Sequence, residues 1–373
     1  MAPEFLLLLF PLIWPFIAKR IWNAEITWSE LGLNIVIIVV LCLGVYHGGK
    51  YGQTVDTEIW NGVVNSKKII DDHYVESYDC NCREVCSGSG NQRSCSTVCN
   101  TCYEDHYTRE WIANTSIGRI QFDKIDTTWK MKRNRAKPPA AYNKCIPGEP
   151  TSLAKTYTNY VQAVPKSLFN DNSSLAEQYA GKIPAYPRVY NFYRINRVIN
   201  VGSLVPANVQ KDLNGRLNVE LITLGKLKQV NIIVIFTNVS DPSYRYAIEN
   251  AWLGGKKNDV VVIIGTQDGK TVQWADVMTW ALNSGNELFH VKMRDGLKQT
   301  PIESQPLSQL ISSTITKHYD RPQMADYEYL KSEIKPPNWV MIIAVLISIV
   351  GSILLTALFH KIDVDFFKNR RYR

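Results

Sequence analysis

The chain has 373 residues, with 42 Lys and Arg against 34 Asp and Glu for a formal charge of +8, and only 20% of it is charged. So mild a surplus, with no strong basic patch interleaved with aromatics, argues against nucleic acid as the natural partner. The long stretch between the apolar ends allows one large domain or two ordinary ones.

The first apolar run, "FLLLLFPLIWPFIA" (Phe5 to Ala18), is short and interrupted by Pro11 and Pro15. A third span, a re-entrant segment and an interfacial anchor all remain open for it. A cleavable signal peptide is disfavoured, because no basic stretch precedes the run and no A-x-A site follows it. "LGLNIVIIVVLCLGVY" (Leu31 to Tyr46) reads as a membrane helix, with Thr27 and Glu30 at capping-box spacing before it. Near the other end, Trp339 to Phe359 carries no charge and is long enough to cross a hydrocarbon core of about 30 Å. Lys19 and Arg20 before the second run, and Lys361, Lys368, Arg370, Arg371 and Arg373 after the last, mark those flanks as cytoplasmic. Everything from about His47 to Asn338 is then expected outside the cytoplasm.

Residues 1–50 are thus expected to form the N-terminal membrane segment or segments, 339–359 the C-terminal transmembrane helix and 360–373 a basic cytoplasmic tail. Residues 51–150 are rich in Thr, Tyr, Trp and Asn in short alternating runs such as "YVESY", which suit antiparallel strands. "KMKRNRAKPPAAYNKCIPGEP" breaks that pattern as a linker or surface loop. Residues 151–205 form a connecting region of mixed pattern. From Pro206, the apolar residues Val209, Leu213, Leu217, Leu221 and Leu224 recur at helical spacing. A strand "VNIIVIFTN" follows, then a helix capped by Asp241 with Pro242 in its first turn. A buried strand, a turn at Asp268-Gly269, a second strand and the amphipathic helix "PLSQLISSTITKHY" complete the region. The expected class is α+β or α/β: membrane anchors at both ends, a Cys-rich antiparallel β domain (51–150) and an α/β domain (206–330).

The text "YAIENAWLGGKKNDVVVIIGTQDGKTVQW" and the order of elements from about Pro206 to His318 resemble the TPM domain, a family of membrane-anchored extracytoplasmic α/β-sandwich modules. Tyr246, Ala247, Trp252, Gly254, Asn258 and the strand Val260 to Ile264 fall where that pattern expects them. The chain departs from it at "QWADVMTWALNSGN", in place of a glycine-bearing segment. The remainder, including the cysteine insert, resembles uncharacterised membrane proteins of tailed bacteriophages.

Cys80, Cys82, Cys86, Cys95, Cys99 and Cys102 crowd one short stretch, with Cys145 further on. Outside the cytoplasm disulfides are the first expectation, with Cys145 left single unless it joins the group; no connectivity follows from the spacing. The alternative is structural Zn²⁺ held by Cys82, Cys86, Cys99, Cys102 and His106. Cys42, inside a span, reads as a small apolar residue. The TPM resemblance implies carboxylates lining a shallow pocket, so Asp241, Asn258, Asp259 and Asp268, with Asp276 nearby, are candidates for Ca²⁺ or Mg²⁺. Each also has a plain structural role as a cap, turn or loop residue. Trp111, Trp129, Trp252, Trp274 and Trp280 read as core or sheet-face residues, and Trp339 as an interfacial anchor. No nucleotide-binding loop, hydrolase elbow or zincin motif is present.

The expected function is non-enzymatic: a membrane protein whose extracytoplasmic part engages or modulates a protein of the cell envelope, in the inner membrane of a bacterial host. Its rivals are a metal-dependent phosphatase-like hydrolase and a structural zinc module.

Overall fold

The computed structural model describes residues 3–21, 28–87, 94–164, 177–188, 195–280 and 286–362. Thr27 and the basic residues Lys368, Arg370, Arg371 and Arg373 lie outside the described residues. The chain divides into two compact units, Met1–Asp56 with Thr156–Asn170 and Gln323–Arg373, and Thr57–Lys155 with Asp171–Pro322.

The first unit is built on helices. α1 (Pro3–Ile21) and α2 (Trp28–Gln53) are followed at the far end of the chain by α9 (Asn338–Leu346), a π turn (Ile347–Gly351) and α10 (Ser352–Ile362), which run on as one C-terminal helix. Ser29–Gln53 and Asn338–Phe359 are each long and apolar enough to cross a membrane. Leu7 packs with Tyr46 and Ala344, while Pro15 lies beside Asn34 and Thr356. α1 therefore runs antiparallel to α2 and alongside the C-terminal helix. The proline that argued against a continuous helix is accommodated by a neighbour. Pro11 has no N–H for the carbonyl of Leu7, and Ser348 Oγ, in the π turn, donates to that carbonyl at 2.6 Å. Asn34 Nδ2 similarly donates to Ser352 O at 3.1 Å and to Thr356 Oγ1 at 2.9 Å, so polar side chains pair across the helices.

The second unit contains two four-stranded sheets. The first has the order β3-β2-β1-β4, with β1 (Val55–Ser87), β2 (Ser94–Thr115), β3 (Gly118–Thr127) and β4 (Pro150–Thr158); β1–β2 and β2–β3 are antiparallel. The short alternating runs expected here are instead parts of two long strands. The expected linker folds into α3 (Lys130–Arg135) and α4 (Ala140–Lys144). Trp129 just before α3 is 73% exposed, contrary to its expected place on a sheet face, because it stands outside the strand pattern.

The second sheet has the order β5-β6-β7-β8, with β5 (Val198–Val201), β6 (Asn231–Thr237), β7 (Asp259–Gly265) and β8 (Trp274–Thr279). Its first three strands are parallel and β8 is antiparallel to β7. The helices are α5 (Ala207–Lys228), α6 (Tyr244–Ala251), α7 (Glu287–Gln299) and α8 (Ser304–His318). Both faces of β6 and β7 are buried, which is why their text is continuously apolar. Ile232, Val234, Phe236, Val260 and Val262 pack on α5, α7 and α8, and Ile233, Ile235, Val261 and Ile263 on α6 with Tyr179.

Two expectations need correction. α6 starts at Tyr244, not at Pro242, and the Asp241 carboxylate accepts from the N–H of Ser243 instead of capping the helix itself. α7 was not foreseen, although Phe289, Met293 and Leu297 recur every four residues and are fully buried.

The two sheets meet through α5 at Gly225. A Cβ there would be driven into the carbonyl of Asn61 on β1. Gly225→Ala is expected to destabilise this unit by about 1–3 kcal/mol, read as a lower unfolding temperature, whereas Gly215→Ala, which meets nothing within 4 Å, is expected to leave it unchanged or raise it.

Candidate functional site

Beyond Tyr107, β3 no longer pairs with β2, and β1 and β2 continue as a two-stranded ribbon, Val75–Ser87 against Ser94–Asp105. At roughly 3.3 Å per residue this segment is about 40 Å long. A two-stranded hairpin of this kind is marginal in water unless something besides pairing holds it. Here Cys80–Cys102, Cys82–Cys99 and Cys86–Cys95 are disulfides spaced along the ribbon. The residues around them are exposed on both faces; only Cys80, Cys86, Cys99 and Cys102 are even half-buried between Val75 and Ser87 and between Cys95 and Asp105.

The faces are set by the pleat. Along β2, Cys102 points to one side and Cys99 and Cys95 to the other, since side chains alternate. β1 matches this through a register shift between Cys80 and Arg83, where Asn81 has φ of 48°. The first disulfide therefore lies on one face and the other two on the opposite face. Val75, Tyr78, Val85, Val98 and Tyr103 stand exposed between them, Tyr103 at 71%.

The proposed zinc ligands do not share a centre. Cys82, Cys86, Cys99 and Cys102 are each engaged in a disulfide. His106, four residues beyond Cys102 on an extended strand, is separated from it by about 13 Å along the chain, against the 2.0–2.3 Å that zinc requires of its ligands. Cys145 stays outside the ladder as a buried free thiol beside Val64 and Ala113. Cys42 is likewise buried and free.

His106 instead lies at the ribbon's base among carboxylates. Its Nδ1 is 3.0 Å from Asp126 Oδ1, and its Nε2 is 3.3 Å from Glu76 and 3.8 Å from Glu104. Tyr74 stacks on its ring and donates to Asp126 at 2.9 Å. On the other face His73 stacks on Tyr107 and contacts Asp105 at 2.7 Å. The hydrogen bond with Asp126, helped by the three negative charges, raises the His106 pKa above the usual imidazole range, and burial opposes this only in part. Because the folded-state value is the higher one, this contact stabilises the base fully below the unfolded value near 6.5 and is lost as pH rises through the raised value. We expect the His106 ring resonances to titrate with a midpoint above 6.5, and Asp126→Asn to bring that midpoint down. NMR of histidine-labelled protein checks this.

The expected Ca²⁺ or Mg²⁺ ligands are split between the ends of the second sheet. Asn258 and Asp259 stand at the start of β7, whereas Asp268 follows its end and Asp241 follows the end of β6. The length of β7, about 20 Å, keeps the pairs apart. Each is occupied locally. Asp268 accepts from the N–H groups of Lys270 and Thr271 and from two threonine hydroxyls, which hold its carboxyl well below the usual range. Asp241 accepts from Ser243 and from the Tyr179 hydroxyl. Asp276 accepts from the N–H of Val277 on β8. Asn258 joins the two sheets: its Oδ1 accepts from Ile59 N at 3.3 Å and its Nδ2 donates to Ile59 O at 2.6 Å.

Asp259 belongs to a buried network that sequence reasoning missed. It accepts from Asn231 Nδ2 at 2.7 Å, Tyr186 at 2.9 Å and Lys256 N at 2.7 Å. Arg197, 1% exposed, fans its donors to Asn218 Oδ1 and Ser152 Oγ, both at 2.9 Å, and to Asn61 and Asn231. Close by in the same unit, Glu58 receives Arg321 at 2.6 Å and Lys257 at 3.5 Å. No motif marks these positions; they are polar residues scattered over eight segments between Glu58 and Arg321, brought together only by packing. Compared with known proteins, this chain matches no protein-family model, no curated protein and no solved structure.

Proposed function

We propose that this chain is a membrane-anchored, non-enzymatic protein whose disulfide-laddered ribbon engages or modulates another protein of the cell envelope. The observation that carries the reading is the ribbon itself. Three disulfides order a segment that, among the described residues, has no apolar layer against it, and they do so while leaving tyrosines and valines exposed on both faces. Rigid aromatic side chains on a pre-ordered segment lose little conformational freedom on binding, which is the property an interface benefits from. Disulfides persist in oxidising compartments, so the ribbon is read as extracytoplasmic, with α2 and the C-terminal helix spanning and the basic flanks inside. The α/β part is read as a TPM-like scaffold for it, in a phage-encoded protein of a bacterial inner membrane.

The test is site-specific photo-cross-linking in membranes of the producing cell. A photoreactive residue at position 103 or 78 is expected to give one discrete adduct with an envelope protein, and the same residue at position 227, exposed on α5, none. Adducts that are absent from the ribbon positions, or equally strong from position 227, would sink the reading.

A further inference from the structure

The first unit holds a cavity of about 390 Å³ at the end of α2, just ahead of the start of α9. His47, Lys50 and Tyr51 of α2, Thr158 and Tyr160 at and after the end of β4, and Lys331 ahead of α9 line it. Its wall is held by hydrogen bonds of Asn159. Asn159 N donates to Thr54 O at 2.6 Å, and its Nδ2 donates to Asp56 Oδ2 at 2.9 Å. Ala163, Val164 and Ile334 pack together beside it. The size lies within the range of ordinary small-molecule sites.

Three of the lining side chains are basic, and among the described residues none is acidic. Lys50 reaches back over the Tyr46 ring at 5.9 Å, and the His47 ring meets the same ring edge-on. Among the described residues neither Lys50 nor Lys331 has a carboxylate partner. The apolar stretch of α2 ends one residue before His47, so these groups stand at the height where a bilayer's hydrocarbon gives way to headgroups. Lysines on the outer flank of a span run against the usual inside preference, and here they surround a cavity instead of being dispersed. Two ammonium groups with nearby Tyr and Thr hydroxyls are donors matched to phosphate oxygens, and they repel a cationic ligand.

We propose that this cavity binds the phosphate-bearing headgroup of an anionic phospholipid from the leaflet in which α2 ends. The proposal rests on the reading of α2 and the C-terminal helix as membrane spans. The full chain is placed in nanodiscs of phosphatidylcholine with a minor fraction of phosphatidylglycerol, and the lipid that stays with it is counted by native mass spectrometry. Preferential retention of phosphatidylglycerol is expected, and the double variant K50Q/K331Q is expected to lower it about tenfold or more, at a few-fold per lysine. K226Q, on α5, is expected to retain as much as the parent. Equal retention by parent and double variant overturns the proposal. Displacement of the lipid by millimolar inorganic phosphate overturns the lipid source and leaves a soluble phosphate compound as the occupant. Release of the chain from membranes by alkaline carbonate would instead overturn the spanning reading, and is scored separately. Unchanged disulfide content in the variants, by mass, checks that they have folded.

Discussion

Arg197→Met is expected to destabilise the second unit by about 3–5 kcal/mol, the cost typical of breaking a buried charged network from one side. The cause is what remains behind. Asn218 Oδ1 loses its guanidinium donor, Asn61 Oδ1 keeps only the Ser152 hydroxyl, Asn231 Oδ1 keeps only the 3.4 Å contact from Asn61 Nδ2, and Ser152 loses an N–H neighbour. All lie too deep for water to replace it. For a unit of this size the loss corresponds to a fall of roughly 10 °C in unfolding temperature, readable by circular dichroism in detergent. Arg197→Lys is expected to fall between the two, since an ammonium cannot reach the same set of acceptors as the guanidinium fork. The pH dependence supplies a second readout. Burial raises the Asp259 carboxyl to about 6. Its unfolded value is near 3.9, so the folded state holds a proton that the unfolded state has released between those limits. The contribution of this carboxyl to stability is therefore greatest below the lower value and declines as pH rises through the upper, by up to about 3 kcal/mol. Removing the Arg197 charge withdraws a cation that favours the ionised carboxylate, so R197M is expected to lose less stability at pH 5 than at pH 7.5.

Reducing the three disulfides is expected to free the ribbon while leaving its base folded. Loops closed by bridges at sequence separations of 9, 17 and 22 are each worth about 3 kcal/mol by chain entropy. Among the described residues no apolar layer backs the ribbon to replace that contribution, so amide exchange between Val75 and Asp105 is expected to accelerate by about 100-fold or more. The pairs from Trp111 to Thr115, backed by β3 and including the buried Trp111, Ile112 and Ala113, are expected to keep their protection. Exchange mass spectrometry with and without a thiol reductant separates these regions. Uniform loss across β1 and β2 would show that the ribbon and its base form one cooperative element.

The parts that were legible are those where one residue type has one physical consequence. Uncharged runs long enough for a bilayer became helices, apolar residues at helical spacing became the buried face of α5, and continuous Val and Ile runs became β6 and β7. Cysteines in a region expected outside the cytoplasm became disulfides, but their pairing was not readable, because six cysteines allow many connectivities and only strand register selects one. The candidate metal set was misleading for a similar reason. Asp241, Asn258, Asp259 and Asp268 are close in the sequence yet lie at opposite ends of the strands that connect them. The Leu7 carbonyl that Pro11 leaves without a helical N–H could not be resolved along the chain either, since its donor, Ser348, is more than three hundred residues away.

Periodicity, charge and hydropathy are local quantities, and by themselves they determined the two helices long and apolar enough to cross a membrane, the strand-and-helix order of the α/β part apart from β5 and α7, and the expectation that the clustered cysteines pair. The tertiary structure alone decided which sulfurs pair, that His106 sits among carboxylates, and that Arg197, Asn61 and Asp259 form one buried network. Those outcomes depend on register and on contacts between distant segments, where each donor needs a particular acceptor within about 3 Å, and no local pattern carries that information.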